Sequence, residues 1–216
     1  MSTPDPSLLD AVRASHARLA GTLESVDDAV VRRPSRLPDW TIGHVLTHVA
    51  RNADSHVRAL EGARDGVMAD RYPGGEAMRT GEIDQGAGRP AAAILDDVVS
   101  SAARLEAAWA ELDEAAWGRQ GASHGRPESI AELPFRRWRE VEVHHVDLGL
   151  GYGYEDWPAT YVGLDLRNAA MAWRSRMPMG QTNLPAAALA LPVEQRLAWL
   201  LGRLEVDGLP RVPPWW

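Results

Sequence analysis

The sequence predicts a mainly α-helical protein: an antiparallel four-helix bundle over residues 1–152, then a small domain over residues 153–216. Three observations carry this expectation. Four segments repeat apolar residues at the spacing of an amphipathic helix. Prolines and a glycine cluster punctuate the chain where helices should begin and end. A length of 216 residues has room for one larger domain with a small appendage.

The first helix is expected over residues 7–30, where Leu8, Leu9, Val12, Leu19, Leu23, Val26 and Val30 form the stripe. Ser7 is placed to cap it, and it should stop before Arg33-Pro34 because proline disfavours helix in the residue ahead of it. His16 reads as a surface or groove histidine, the common environment for that residue type. The second helix, capped by Asp39 or Thr41, extends to about Leu60 with Ile42, Val45, Leu46, Val49, Ala53, Val57 and Leu60 facing inward. At about 100° per residue, His48 lies on the flank of that stripe, His44 nearly opposite it and His56 closest to its centre.

Residues 61–90 read as a long loop with a short helix near Glu76–Ile83; a loop of this length in a compact domain is often functional. Arg79 in it is a candidate anion contact, or a surface cation paired with Glu82. Pro90 suits the first turn of a third helix over about 90–116. Trp117–Glu132 reads as a loop, and His124 within it has no partner in sequence. Pro134 starts the fourth helix, which runs to about Leu150 and ends in Gly149-Leu150-Gly151-Tyr152-Gly153. A fifth helix follows over Ala159–Arg174, then a linker over Pro178–Pro185. Ala186–Leu191 reads as a strand or part of a turn, Val193–Leu204 as the last helix, and Leu209–Trp216 as an extended surface tail.

Composition narrows the function. A net charge of −7 argues against a nucleic-acid binder, which would show a basic face. No apolar run approaches 18 residues, so no membrane span is expected. The first ten residues lack the basic and apolar parts of a signal peptide, so a cytoplasmic setting is the default. There is no cysteine: no disulfide, no thiolate nucleophile and no Cys ligand is possible. Every basic residue is arginine, which excludes Schiff-base chemistry on a lysine.

The densest chemistry lies in Arg139-Glu140-Val141-Glu142-Val143-His144-His145-Val146-Asp147. On a helix, Glu140 and His144 stand one turn apart and can grip one metal ion. Leu133, Val141 and Leu148 point roughly their way, so this pair belongs to the core side. Glu142 and His145 are expected to face solvent or a second layer. A third ligand would come from the segment Gly43–His48, where geometry favours His48 over His44 without excluding His56. Two His and one Glu with a free position is a catalytic zinc arrangement, although such clusters are also found as salt-bridged helix faces.

The segments Pro38-Asp39-Trp40-Thr41-Ile42-Gly43-His44-Val45-Leu46-Thr47-His48-Val49-Ala50-Arg51-Asn52-Ala53-Asp54 and Arg139–Leu148 resemble the mycothiol-dependent maleylpyruvate isomerase family, within the DinB-like metalloenzyme superfamily. The similarity also touches Tyr72–Arg89 and Trp199–Arg203. It implies a DinB-like bundle with a small C-terminal α/β or mostly α domain. It implies Zn2+ or another divalent metal on His48, Glu140 and His144, with mycothiol, the low-molecular-weight thiol of actinobacteria, as cosubstrate. The implied reaction converts maleylpyruvate to fumarylpyruvate by thiolate addition, bond rotation and elimination. Arg203 matches the family's C-terminal functional arginine, and with Arg79 it would hold substrate carboxylates. Asp147 would orient His144, or simply be solvated. The expected partners are a small-molecule substrate and thiol, on a monomer or weak homo-oligomer. The alternatives are a mycothiol S-transferase acting on an electrophile and a non-enzymatic zinc-binding interaction module.

Overall fold

The computed structural model describes residues 3–177 and 183–213, and divides into two compact units, residues 1–150 and 151–216. The first unit is built on four long helices. Helix α1 (Pro6–Leu23) is capped by the Asp5 carboxylate, not by Ser7, whose backbone N–H is the donor. It stops earlier than its periodicity suggests, because Asp27 caps a separate short helix α2 (Asp28–Val31) through the N–H groups of Ala29 and Val30. Helix α3 (Ile42–Arg64) is capped by Thr41, with the His44 ring closing a capping box; Asp39 instead takes a left-handed backbone in the preceding turn. The short helix expected near Glu76–Ile83 is present and longer, α4 (Gly75–Ala87).

Helix α5 (Ala91–Ala110) ends before its expected limit, since Asp113 caps a new short helix α6 (Glu114–Trp117). The stretch read as a loop then forms a hairpin of β1 (Gln120–Ser123) and antiparallel β2 (Arg126–Ser129). Its two-residue turn, His124-Gly125, has positive φ at both positions, 50° and 74°, as a tight turn between twisted strands requires. Asp70 secures the turn by accepting from both backbone N–H groups. Short strands without alternating apolar residues carry little periodic signal, which is why the sequence reads there as loop. Helix α7 (Leu133–Asp147) completes the bundle and terminates at Gly149, φ 66°.

In the bundle α3 packs on α5 and α7, and α1 packs on α7 and α5. The core between them includes Leu19, Val45, Leu46, Ile94, Val98 and Val141, each contributing about 1.5–3 kcal/mol by its burial. Helix α4 lies close against α3 because Gly86 has no Cβ; one there would run into the Thr47 methyl. That close approach delivers Arg79 to the face of α3.

The regular elements among the described residues of the second unit are a 3₁₀ turn at Tyr154–Asp156, then α8 (Ala159–Arg176), α9 (Ala186–Leu189) and α10 (Val193–Leu200). The run read as strand or turn is therefore a helical turn, held by Arg196, which donates to the carbonyls of Ala188, Leu189 and Leu191. Helix α10 ends four residues before Leu204, because Gly202 adopts φ 70° and closes a Schellman motif: Arg203 N–H to Ala198 O and Gly202 N–H to Trp199 O. The Trp199 indole donates to Pro210 O and fixes the start of the tail. The expected linker lies in part, at residues 178–182, outside the described residues, as do residues 214–216 of the tail.

Candidate metal centre

Three side chains from two facing helices converge in the first unit. His48 projects from α3; Glu140 and His144 project from α7 one turn apart. Their donor atoms all lie within 4.8 Å of one another. His48 Nε2 is 3.0 Å and His144 Nε2 3.5 Å from the same oxygen, Glu140 Oε2. A tetrahedral zinc with bonds near 2.1 Å needs donors roughly 3.4 Å apart, so the cluster fits such an ion with little adjustment. Both imidazoles are buried, while Glu140 keeps about a fifth of its side chain exposed. The site is therefore closed on its histidine side and reachable past the carboxylate.

The hydrogen bonds fix the tautomers. Arg79 Nη2 donates to His48 Nδ1 at 3.2 Å, so the His48 proton sits on Nε2 and is given to Glu140. His144 Nδ1 donates to Asp147 at 2.9 Å, an outer partner of the kind that orients a ligating imidazole. Burial pulls the His48 pKa down to about 4, against partial support from Glu140. For His144 burial acts the same way, but the Asp147 and Glu140 carboxylates outweigh it and raise the pKa. Burial pushes the Glu140 carboxyl up; the hydrogen bonds and charge of the two histidines overcome this and hold it well below the usual range. Two imidazoles and a carboxylate are a donor set suited to a divalent cation.

The other residues singled out in sequence fall as follows. Arg79 pairs with Glu76 at 2.9 Å, not with Glu82. Arg203 stands just past α10 in the second unit, where Nη1 donates to Leu201 O. His44 is turned away into the Thr41 cap. His56 is buried with neither ring nitrogen bonded, and burial, then the nearby arginines, pulls its pKa well below the ordinary value. His124 is partly exposed on the hairpin tip and stacks on Tyr72. Glu142 and His145, expected to face solvent or a second layer, are buried against α1: Glu142 accepts from Ser15, Arg18 and Trp138, and His145 Nε2 bonds Thr22 Oγ1. His16, expected at the surface or in a groove, is buried and borders a cavity between α1 and α5. Sequence reading passed over Trp40, whose ring lies 5.7 Å from that of His48 and supplies an apolar wall. It also passed over Asn52 and Arg137, although Asn52 is one helical turn past His48 and Arg137 one turn before Glu140.

A helical bundle with two imidazoles and a carboxylate meeting between facing helices defines a bundle protein with a candidate metal centre. Comparison with known proteins narrows the class. Residues 12–149 match the family described as the mycothiol maleylpyruvate isomerase N-terminal domain, more than half of the chain, and the protein belongs to that family. A crystal structure of a mycothiol-dependent maleylpyruvate isomerase aligns over 100% of both chains, with a TM-score of 0.84 at 26% identity. The structure of a histidine-to-alanine mutant of a mycothiol-dependent maleylpyruvate isomerase aligns over the same extent, with a TM-score of 0.84 at 24% identity. No curated protein matches the chain in sequence.

Proposed function

We propose that the protein is a metal- and thiol-dependent cis–trans isomerase that converts maleylpyruvate to fumarylpyruvate with mycothiol as cosubstrate. The observation that carries this reading is the convergence of His48, Glu140 and His144 in a chain that aligns end to end with such an isomerase. The chain has no cysteine, so a sulfur nucleophile at the site has to come from outside. Zinc is the metal the donor set favours, and when bound it supplies one thing: it keeps a thiol ionised as thiolate near neutral pH.

The thiolate sulfur adds to the cis double bond, and the new carbanionic charge is spread over the adjacent ketone as an enolate. The former double bond, now single, rotates. Collapse of the enolate expels the thiolate and leaves the trans alkene, so the nucleophile is regenerated and no net proton or electron is consumed. The chain's own groups bind and orient. His48, Glu140 and His144 would hold the cation; the His48 proton would then sit on Nδ1, and Arg79, still paired with Glu76, would turn the Nη2 released from His48 to a substrate carboxylate. Asp147 keeps the His144 proton on Nδ1 and the Nε2 lone pair toward the cage. Arg203 is the proposed second carboxylate contact. No described helix is long and apolar enough to cross a membrane; the reading goes with the cytoplasm of an actinobacterium, where mycothiol is the working thiol.

The test is metal analysis of the purified protein followed by turnover of maleylpyruvate with and without mycothiol. The trans isomer should form only with the thiol and the metal. Accumulation of a stable thiol adduct instead would make the protein an S-transferase, and no reaction with any thiol would remove the enzymatic reading. Arg203→Ala should raise KM about tenfold or more, the scale of one lost charged hydrogen bond, with metal content unchanged; an unaltered KM would take Arg203 out of the substrate site.

A further inference from the structure

One turn below the three converging side chains lies a second buried polar layer. Arg137, on α7 three residues before Glu140, is fully buried. Its Nη1 donates to Val49 O at 2.8 Å and to Asn52 Oδ1 at 3.0 Å, both on α3. Val49 directly follows His48, and Asn52 lies one turn beyond it. Its Nε donates to His16 Nε2 on α1 at 3.0 Å. Because Nε2 accepts, the His16 proton is on Nδ1, which donates to Glu106 Oε1 on α5 at 2.7 Å. One chain of hydrogen bonds therefore joins all four long helices, in the order α5, α1, α7, α3.

This arrangement is costly. Among the described residues no carboxylate is paired with the Arg137 guanidinium, and its Nη2 has no hydrogen-bond partner. Burial lowers its pKa to about 10, so it stays charged at neutral pH; the nearest compensation is the field of Glu140. Buried polar groups of this kind contribute little stability compared with apolar packing, and their best-attested use is to fix register. The register at stake here is that of α7 against α3, and the donor separations of 3.0 and 3.5 Å in the cage above depend on it.

We propose that Arg137 is a positioning residue of the metal centre: through Val49 and Asn52 it sets α7 against α3 so that His48 meets Glu140 and His144, and His16 with Glu106 holds the guanidinium in place. The proposal rests on the reading of those three side chains as metal ligands. It does not place Arg137 in contact with metal or substrate. The outer end of the chain is accessible, since His16 and Glu106 border a cavity of about 240 Å³ between α1 and α5.

The test uses the full-length protein and three variants, Arg137→Met, Arg137→Lys and Glu106→Gln. Affinity for Zn2+ and Co2+ is measured by competition with a chromophoric chelator, together with the visible absorption bands of the Co2+ form and the melting temperature of the metal-free form. Arg137→Met should weaken metal binding about tenfold or more, the range for losing an outer partner of a metal site, and should change the Co2+ bands. Arg137→Lys should restore part of the affinity, and Glu106→Gln should give a smaller loss in the same direction. A lowered melting temperature with wild-type affinity and bands would make Arg137 a stability residue only and overturn the proposal. If Arg137→Met does not fold, wild-type affinity and bands in both other variants overturn it equally. If the wild type itself takes up no metal, the ligand reading fails and this proposal falls with it.

Discussion

Helix α7 carries two interleaved glutamate–histidine pairs, Glu140 with His144 and Glu142 with His145, and they have opposite fates. Glu140 and His144 meet α3, where a third donor, His48, joins them on one carboxylate oxygen. Glu142 and His145 meet α1, where each finds its own partners: Ser15, Arg18 and Trp138 for the carboxylate, Thr22 for the imidazole. Both pairs contain buried members, so burial does not separate them. Convergence does. The α1-facing pair is used up in local hydrogen bonds and holds two helices together. The α3-facing pair brings three potential donors to one point, hydrogen-bonded to one another and close enough to hold one cation.

The comparison can be broken most sharply by substitution on each side. His48→Ala should reduce bound metal from one equivalent to near zero while the bundle still folds. Retained stoichiometry in a metal assay would show that the cage is not the binding site. Glu142→Ala should do the converse: it takes the shared carboxylate from Ser15, Arg18 and Trp138, leaving Ser15 its bond to Ala11 O and the other two theirs to Ser15 Oγ, and should cost about 2 kcal/mol of stability. Denaturant titration measures this, and metal content should remain one equivalent. Loss of metal without loss of stability in Glu142→Ala would erase the distinction between the pairs.

A smaller effect is expected at Asp147, which accepts from His144 Nδ1. Asp147→Asn should weaken metal affinity about tenfold, read by chelator competition; an unchanged affinity would mean the His144 ring needs no anchor. The smallest effect is in pH. In the metal-free protein the pKa values of His48, His56 and His16 are all lowered from 6.5, in each case chiefly by burial. The unfolded chain takes up protons at 6.5 where these folded groups do not, so stability is full above that pH and falls below it, at up to about 1.4 kcal/mol per unit for each group. His48 stops contributing to the slope near its folded value of about 4. His144, whose pKa is raised, works in the other direction: its contribution is complete at low pH and fades as pH rises through the raised value. Three groups against one predict that the melting temperature of chelator-treated protein falls between pH 6.5 and 5, and a rise would contradict the burial of these rings.

Much of the bundle was legible because its long helices announce themselves by periodicity. The spacing on α7 also separated Glu140 and His144 from their neighbours, and the rotation of α3 favoured His48 over His44. What periodicity does not carry is where a helix is interrupted. Asp27 and Asp113 each restart the chain by capping a short helix, and an aspartate reads equally well as an exposed helix residue. The hairpin at residues 120–129 escaped for the opposite reason, having two four-residue strands and no alternation. The burial of Glu142, His145, His16 and Arg137 escaped because a polar side chain is placed inward only when a partner on another helix is known. Each of those partners, Ser15, Thr22, Glu106 and Asn52, is distant in sequence.

The most direct measurement is anomalous scattering from crystals of the purified protein, collected on either side of the absorption edge of the bound metal. A single strong peak bonded to His48 Nε2, His144 Nε2 and a Glu140 oxygen, with Arg79 turned away from His48 Nδ1, is the predicted result. Density that shows His48 still hydrogen-bonded directly to Glu140, with the metal elsewhere or no metal retained, would contradict it.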